Sequence, residues 1–336
     1  MTQAPTTLPA AAAAEERPGS ALLGGLLRYA FLFAFAAMFV FFSLRTPTFL
    51  GGSNLLNILQ GSALLTLVAL ALTVVVAAGG IDLSVGVALD FGAWFSIVAM
   101  LSFGLPWPVA LLCGLAGGAL IGAVNAFLIV QLGVTPFLAT LGTFFIGRSA
   151  QLIGTNGGAN INFRQMPEGF QAVAGGSALG VSNQLVVVAV IAALYYLLLN
   201  RSKYGARIGA MGIQNSAARV AGIPTRKYRA TVFVLAGLTA GVAGVLLSSD
   251  LRIYTPNAGF SYLLDGIAAV FIGASMHRDS RPNVLGTIVG VLFLSTLRVG
   301  LDLLGLDFNV KAALNGIVLL AALVLAYAVS KRARRT

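Results

Sequence analysis

Apolar runs alternate along the whole chain with short segments rich in Gly, Pro and charged residues. A helix rising 1.5 Å per residue needs about 20 apolar residues to cross a hydrocarbon core of roughly 30 Å. Scored that way, the pattern predicts about ten spans. They are 27–44, 55–78, 84–103, 108–131, 134–153, 183–199, 229–248, 260–276, 283–300 and 310–329, and 260–276 is also open to a re-entrant reading. The fold class is therefore all-α: a polytopic membrane protein with a single transmembrane domain over 27–330. The Ala/Pro/Thr-rich segment 1–26 reads as a disordered cytoplasmic N-terminus, and 331–336 as a basic cytoplasmic tail.

Polar positions inside this pattern mark where it is interrupted for a reason. Between Leu55 and Val130 the only carboxylates are Asp82 and Asp90. Asp82 lies in "GGIDLSVG", 79–86, just after a span that starts near Leu55 has finished crossing. Gly79 and Gly80 then end one helix, since glycine accepts a positive φ. Asp82 is placed to cap the next helix through the free amides of its first turn, at a boundary where a charge costs less than at the bilayer centre. A direct part for Asp82 in transport is the alternative. Gly114, Gly118 and Gly122 lie four apart, with Asn125 on the same face, and Gly237/Gly241 and Gly286/Gly290 repeat the spacing. Small residues so spaced let helices approach closely in lipid. The stretch from Gly118, "GALIGAVNAFLIVQLGV", is weakly echoed from Gly286 by "GTIVGVLFLSTLRVGLDLLGL".

Three further segments carry polarity that spanning alone does not require. In 134–153 the residues Pro136, Thr140, Thr143, Gly147 and Gln151 fall on one helical face. Such a stripe faces either a cavity or another helix, so Thr140, Thr143 and Gln151 are candidates for lining a translocation pathway. Thr can alternatively bond its own helix backbone. Segment 154–182 is the longest polar stretch between spans and reads as an outward landing surface or a flexible connector. Segment 200–228 carries Arg201, Lys203, Arg207, Arg219, Arg226 and Lys227 around the Ala-rich stretch "NSAARVAGI". A short helix there suits docking into a groove of a cytoplasmic partner, the alternative being a basic loop that serves topology alone.

Composition narrows the function. Only 9% of residues are charged and 58% are apolar, with a mean hydropathy of +0.92; a soluble domain carries about 25% charged residues. The net charge of +11 does not point to nucleic acid, because the cations cluster where loops would be cytoplasmic. With the N-terminus inside, inner segments hold 15 of the 21 Lys and Arg residues, as the positive-inside rule requires. One cysteine, Cys113, and one histidine, His277, leave no basis for disulfides, a metal site or histidine catalysis. No G-x-x-x-x-G-K-[ST] is present, so the chain has no P-loop of its own and no cofactor site is expected. The intramembrane acids are too few for an obvious ion-coupling network, which points to energy from a separate subunit.

Four ordered motifs give a resemblance: "GGIDLSVG" (79–86), "TPFLATLGT" (135–143), "AARVAGI" (217–223) and "PNAGFSYLLDGIAAVFIGA" (256–274). The chain resembles, from about residue 27 to 330, the permease subunits of bacterial ABC importers for ribose and related monosaccharides. That resemblance implies a multi-pass protein of the bacterial inner membrane, in contact with membrane lipid. It implies a second permease subunit, identical or homologous, two cytoplasmic ATP-binding subunits that hydrolyse the ATP, and a periplasmic sugar-binding protein. It places the ATPase-coupling helix on Ala217, Ala218, Arg219, Gly222 and Ile223, and the turn motif on Gly79, Gly80, Asp82 and Ser84. The chain departs from the family in carrying Gln214, where Asn is frequent, and "SMHRDSRPN" (275–283) in place of a Gly-rich turn. The competing reading is a secondary transporter that needs no ATPase.

Overall fold

The computed structural model describes residues 18–324, apart from 179, 278–280, 308, 312, 315, 319, 322 and 323, with side chains from residue 31 onward. Its helices are α1 (Pro18–Arg45), α2 (Gly52–Gly61), α3 (Ala63–Ala77), α4 (Val85–Leu101), α5 (Trp107–Val130), α6 (Pro136–Gly154) and α7 (Glu168–Gly175). They continue with α8 (Asn183–Tyr196), α9 (Lys203–Ile213), α10 (Asn215–Val220), α11 (Thr225–Leu251), α12 (Gly259–Ser275) and α13 (Val284–Leu303). Four two-residue strands, β1 (Ile161–Asn162), β2 (Ser177–Ala178), β3 (Val181–Ser182) and β4 (Ile253–Tyr254), pair antiparallel as β1–β4 and β2–β3.

Every expected span up to 283–300 has its helix, and 310–329 runs beyond the described residues. Among those described, Gly52–Ala77, α5, Asn183–Arg201, α11 and α13 are long and apolar enough to cross a membrane. Phe31–Arg45 of α1, α4 and α12 are shorter apolar helices. Two expectations are corrected. Residues 18–26, assigned to a disordered N-terminus, belong to α1. Segment 154–182 is not the flexible connector that stood as the alternative to an outward landing surface: it holds β1, α7 and the β2–β3 hairpin. It is fastened inward by Ser249 of α11, whose Oγ donates to the Phe170 carbonyl at 2.6 Å and accepts from the Ala174 amide at 3.1 Å.

The core follows from helices that are apolar all round, a pattern that buries every face. Residues Ala63 to Val75 of α3 are all buried, whereas the apolar stretch Asn183–Arg201, which includes α8, stands at the periphery and is only 11% buried. Helices α4, α5 and α11 pack on one another through glycine. A Cβ at Gly118 would lie 2.4 Å from the Gly237 carbonyl oxygen, and one at Gly237 would lie 2.5 Å from that of Gly118. The backbones of α5 and α11 therefore touch, as the Gly-x-x-x-Gly spacing predicted. The third instance of the spacing, Gly286/Gly290, works alike, since a Cβ at Gly290 of α13 would lie 2.4 Å from the Ala269 carbonyl oxygen of α12.

The start of α12 lies deep in the bundle. Gly244 of α11 backs onto Leu89 and Ala93, and Ser248 Oγ meets Ser96 Oγ at 3.2 Å, so α11 has already passed the middle of α4 when it ends at Leu251. The chain then turns back, with Arg252 at φ +55° and Asn257 at φ +61°, and brings Gly259 against Gly86 near the other end of α4. From there α12 has 17 residues, a rise of about 25 Å, short of the roughly 30 Å core. It nevertheless runs on toward the end of the bundle that carries the Gly79 turn, since Gly273 backs onto Gly286 and Thr287 Oγ1 meets Thr73 Oγ1 at 2.8 Å.

Candidate functional site

The turn after α3 is built around one carboxylate. Gly79 takes φ +77°, a conformation that costs a side-chain-bearing residue energy, and the chain reverses there. Asp82 is 2% exposed, and its Oδ1 accepts from the Ser84 backbone amide at 2.8 Å and from Ser84 Oγ at 2.6 Å. This is an Asx turn. It corrects the expected cap: Ser84, not Asp82, occupies the N-cap position of α4, and Asp82 holds that residue in place without reaching the first-turn amides. Nor does the aspartate sit at an open boundary, because it is enclosed by protein and satisfied by two donors.

From Ser84 the hydrogen bonds continue into two other helices. Asn125 Nδ2 of α5 donates to Ser84 Oγ at 2.6 Å, and Thr143 Oγ1 of α6 donates to Asn125 Oδ1 at 2.7 Å. Thr140 Oγ1 reaches the Ile81 carbonyl at 3.3 Å. Asp82, Ser84, Asn125 and Thr143 are all buried. A buried polar network with its members satisfied fixes one arrangement of the elements that carry it. Here it locks the turn to α5 and α6. Asn125 was singled out from sequence only for the glycine face it shares, and its link to Ser84 had no sequence signal.

The same turn touches the cytoplasmic segment. A Cβ at Gly79 would meet the Gly212 Cα at 3.2 Å, and one at Gly212 would lie 2.1 Å from the Ala77 carbonyl oxygen. Gly212 is in α9, whose N-terminus is capped by Ser202 Oγ accepting from the Tyr204 and Gly205 amides at 3.1 and 3.2 Å. Ile208 and Met211 of α9 are buried in the main core, and Arg207 hydrogen-bonds the Tyr228 hydroxyl at the start of α11. One residue beyond α9 comes α10, the expected coupling helix, closed by the Ile223 amide donating to the Ala218 carbonyl at 3.0 Å, with Gly222 at φ +78°.

The coupling residues do not all face one way. Ala217, Arg219 and Gly222 are exposed and Ile223 is half-buried, but Ala218 is 5% exposed and packs into the chain's own core. The outward apolar side chains are Val220, 90% exposed, and Ile213, 65% exposed. Sequence reasoning missed both. Residue type alone gave no signal, since Ile208 and Ile223 of the same segment are also β-branched and apolar yet are buried and half-buried.

The polar stripe of α6 packs against neighbours in this conformation. Thr140, Thr143 and Gln151 are buried, so none of the three lines an open channel here. The two threonines join the turn network and also back-bond the Phe137 and Ala139 carbonyls. Gln151 Oε1 accepts from Tyr254 Oη at 3.0 Å and from the Asn257 amide at 2.8 Å, pinning the segment that leads down to α12. Trp94 of α4 stacks on the Tyr254 ring with centroids 6.0 Å apart.

Residues 54–326 match the family described as branched-chain amino acid transport system / permease component. The chain belongs to this permease family. It is 34% identical over 287 residues to ribose import permease protein RbsC of Bacillus subtilis (strain 168), covering 84% of this chain and 87% of that protein. With the protein of the same name from Escherichia coli (strain K12) the identity is 32% over 296 residues, covering 87% and 91%. Autoinducer 2 import system permease protein LsrD of Salmonella typhimurium (strain LT2) is 30% identical over 304 residues, covering 88% and 91%. The chain is thus an all-α, multi-pass membrane permease, a transport subunit and not an enzyme, and the motifs that suggested this family all lie inside the matched region.

Proposed function

We infer that this permease forms, with a second identical or homologous permease subunit, the pathway of an ABC importer in the bacterial cytoplasmic membrane. Its solute is a monosaccharide or a related small polar molecule, delivered from outside by a binding protein. Two cytoplasmic ATP-binding subunits seat on α10, with Val220 and Ile213 as apolar contacts and Ala217, Arg219, Gly222 and Ile223 around them. The observation that carries this reading is the contact between Gly212 and the Gly79 turn. A push on α10 passes through α9 to that turn, and the Asp82–Ser84–Asn125–Thr143 bonds pass it on to α5 and α6. A loop serving only topology has no need of such a linkage. The substrate class rests on the relatives, two named for ribose and one for autoinducer 2.

The test is reconstitution of the full chain in proteoliposomes with ATP-binding subunits and a binding protein from the same genome. Uptake of radiolabelled D-ribose is expected to require ATP on the cytoplasmic side and to stop without the ATP-binding subunits. Uptake driven by a proton or sodium gradient in their absence would establish the secondary-transporter reading instead.

A further inference from the structure

At the end of the bundle that the charge pattern places outside, a cavity of about 570 Å³ opens between α2, the α7–α8 segment and the facing parts of α11 and α12. Its polar lining includes Asn57, Gln60, Ser182, Gln184, Asp250 and Tyr262. Small-molecule sites commonly occupy about 300–1,000 Å³. The side chains of these six residues make no hydrogen bond to protein among the described residues. Gln184 is the telling one, because it is only 7% exposed. Its amide is not among the fully enclosed unpaired groups, so it opens onto the cavity, where a small polar solute can meet its donors and acceptor.

The chemistry of the lining separates two kinds of cargo. A free amino acid is a zwitterion, and its carboxylate calls for a cation or a cluster of free backbone amides. No Lys, Arg or His lines the cavity among the described residues. A sugar is neutral, and each hydroxyl both donates and accepts. Three side-chain amides, serine hydroxyls and one carboxylate match that pattern, and the Tyr262 ring offers a surface for the C–H face of a pyranose or furanose. We propose that this cavity is a binding site for a neutral monosaccharide on the outward side of the permease, where released sugar is held before translocation. The proposal rests on the importer topology above and adds a substrate site on the permease itself, outside the binding protein.

The experiment uses the full chain in membrane vesicles, with Cys113→Ala and Asn57→Cys, and a membrane-impermeant maleimide added from outside. With D-ribose at ten times its dissociation constant, labelling should slow about tenfold. Sucrose, too large, and L-leucine, a zwitterion, should leave the rate unchanged. Adding Gln184→Met, which keeps the shape and removes the amide, should abolish ribose protection; an unchanged labelling rate without sugar shows that the variant is folded. Gln60→Met, at an exposed position, is the second variant and should weaken protection likewise. Absence of labelling from outside, absence of ribose protection, or equal protection by leucine overturns the site. Ribose protection in a chain that shows no ATP-dependent uptake would leave the site standing while overturning the importer reading.

Discussion

The carboxylate of Asp90, in the second turn of α4, accepts a hydrogen bond at 2.8 Å from the backbone amide of Gly259, the first residue of α12. A helix N-terminus carries unpaired N–H groups and a partial positive charge, which an acceptor at that end relieves. This helix starts within the bundle, where water does not supply that acceptor, and α4 supplies it. Gly86 alongside lets the two backbones touch, since a Cβ there would lie 2.7 Å from the Gly259 carbonyl oxygen.

Asp90→Ala should therefore leave a buried amide unpaired and lower stability by about 1–3 kcal/mol. Asp90→Asn retains an acceptor oxygen and should lose much less. Thermal unfolding in detergent, followed by the fluorescence of Trp94 and Trp107, checks both. Equal losses in the two variants would mean that the charge, and not the hydrogen bond, holds α12.

Gly212→Ala tests the link between the cytoplasmic helices and the turn. The added Cβ would lie 2.1 Å from the Ala77 carbonyl oxygen, which is backbone and cannot swing aside. Displacing α9 to make room costs about 1–3 kcal/mol, in the range for overpacking. ATP-driven uptake should fall strongly while membrane insertion and ATPase association remain. Gly209→Ala in the same helix meets nothing within 4 Å and should transport normally. Full uptake by Gly212→Ala would show that the contact does not transmit the stroke.

A matched pair of charges separates docking from folding on α10. Val220→Asp puts a carboxylate on the most exposed apolar side chain of the segment, so co-purification of the ATP-binding subunit should drop with the fold intact. Ala218→Asp buries a carboxylate in the chain's own core, and an unpaired charge there destabilises before any partner is met. Its expected signature is loss of the folded protein itself, read by size-exclusion chromatography. Normal ATPase association in Val220→Asp would move the docking surface elsewhere.

Much of this architecture is legible in the sequence because lipid removes alternatives. Apolar length alone sets the helices, and the spacing Gly114, Gly118, Gly122 states which face of α5 meets a neighbour. What escaped was every feature set by a partner far along the chain. Asp82 looked like a local cap, and its turn is local, but the Ser84 hydroxyl it orients is bonded by Asn125, 41 residues away. The break at Ser62 between α2 and α3 falls at the short polar interruption Gln60-Gly61-Ser62, which is too brief to end a span when only apolar length is scored. Ala218 reads as a docking residue from its motif, whereas its direction depends on how α10 seats on the bundle. The segment 154–182 is polar enough to pass for a loop, since its order comes from Ser249 and from β1 pairing with β4.

The stripe on α6 yields the remaining test. In a Cys113→Ala background, single cysteines at Thr140, Thr143 and Gln151 should resist small water-soluble thiol reagents in the conformation described, because all three positions are buried against the turn and the Tyr254 segment. Asn160→Cys, in the exposed outer segment, is the positive control and should label readily. Leu138 projects away from the stripe on an exposed apolar face of α6, so a cysteine there meets lipid or a second subunit and should stay unlabelled. The informative step is to cycle the complex with ATP and loaded binding protein. If α6 only braces the turn, the three positions stay silent in every nucleotide state. If α6 parts from the turn when the pathway opens, Thr140 and Thr143 should label together in one state, since both bond the same network. Gln151, tied to the separate Tyr254 segment, should then follow its own pattern. Labelling of all three in every state would show that the buried arrangement is not the resting one, and would return the stripe to the pathway.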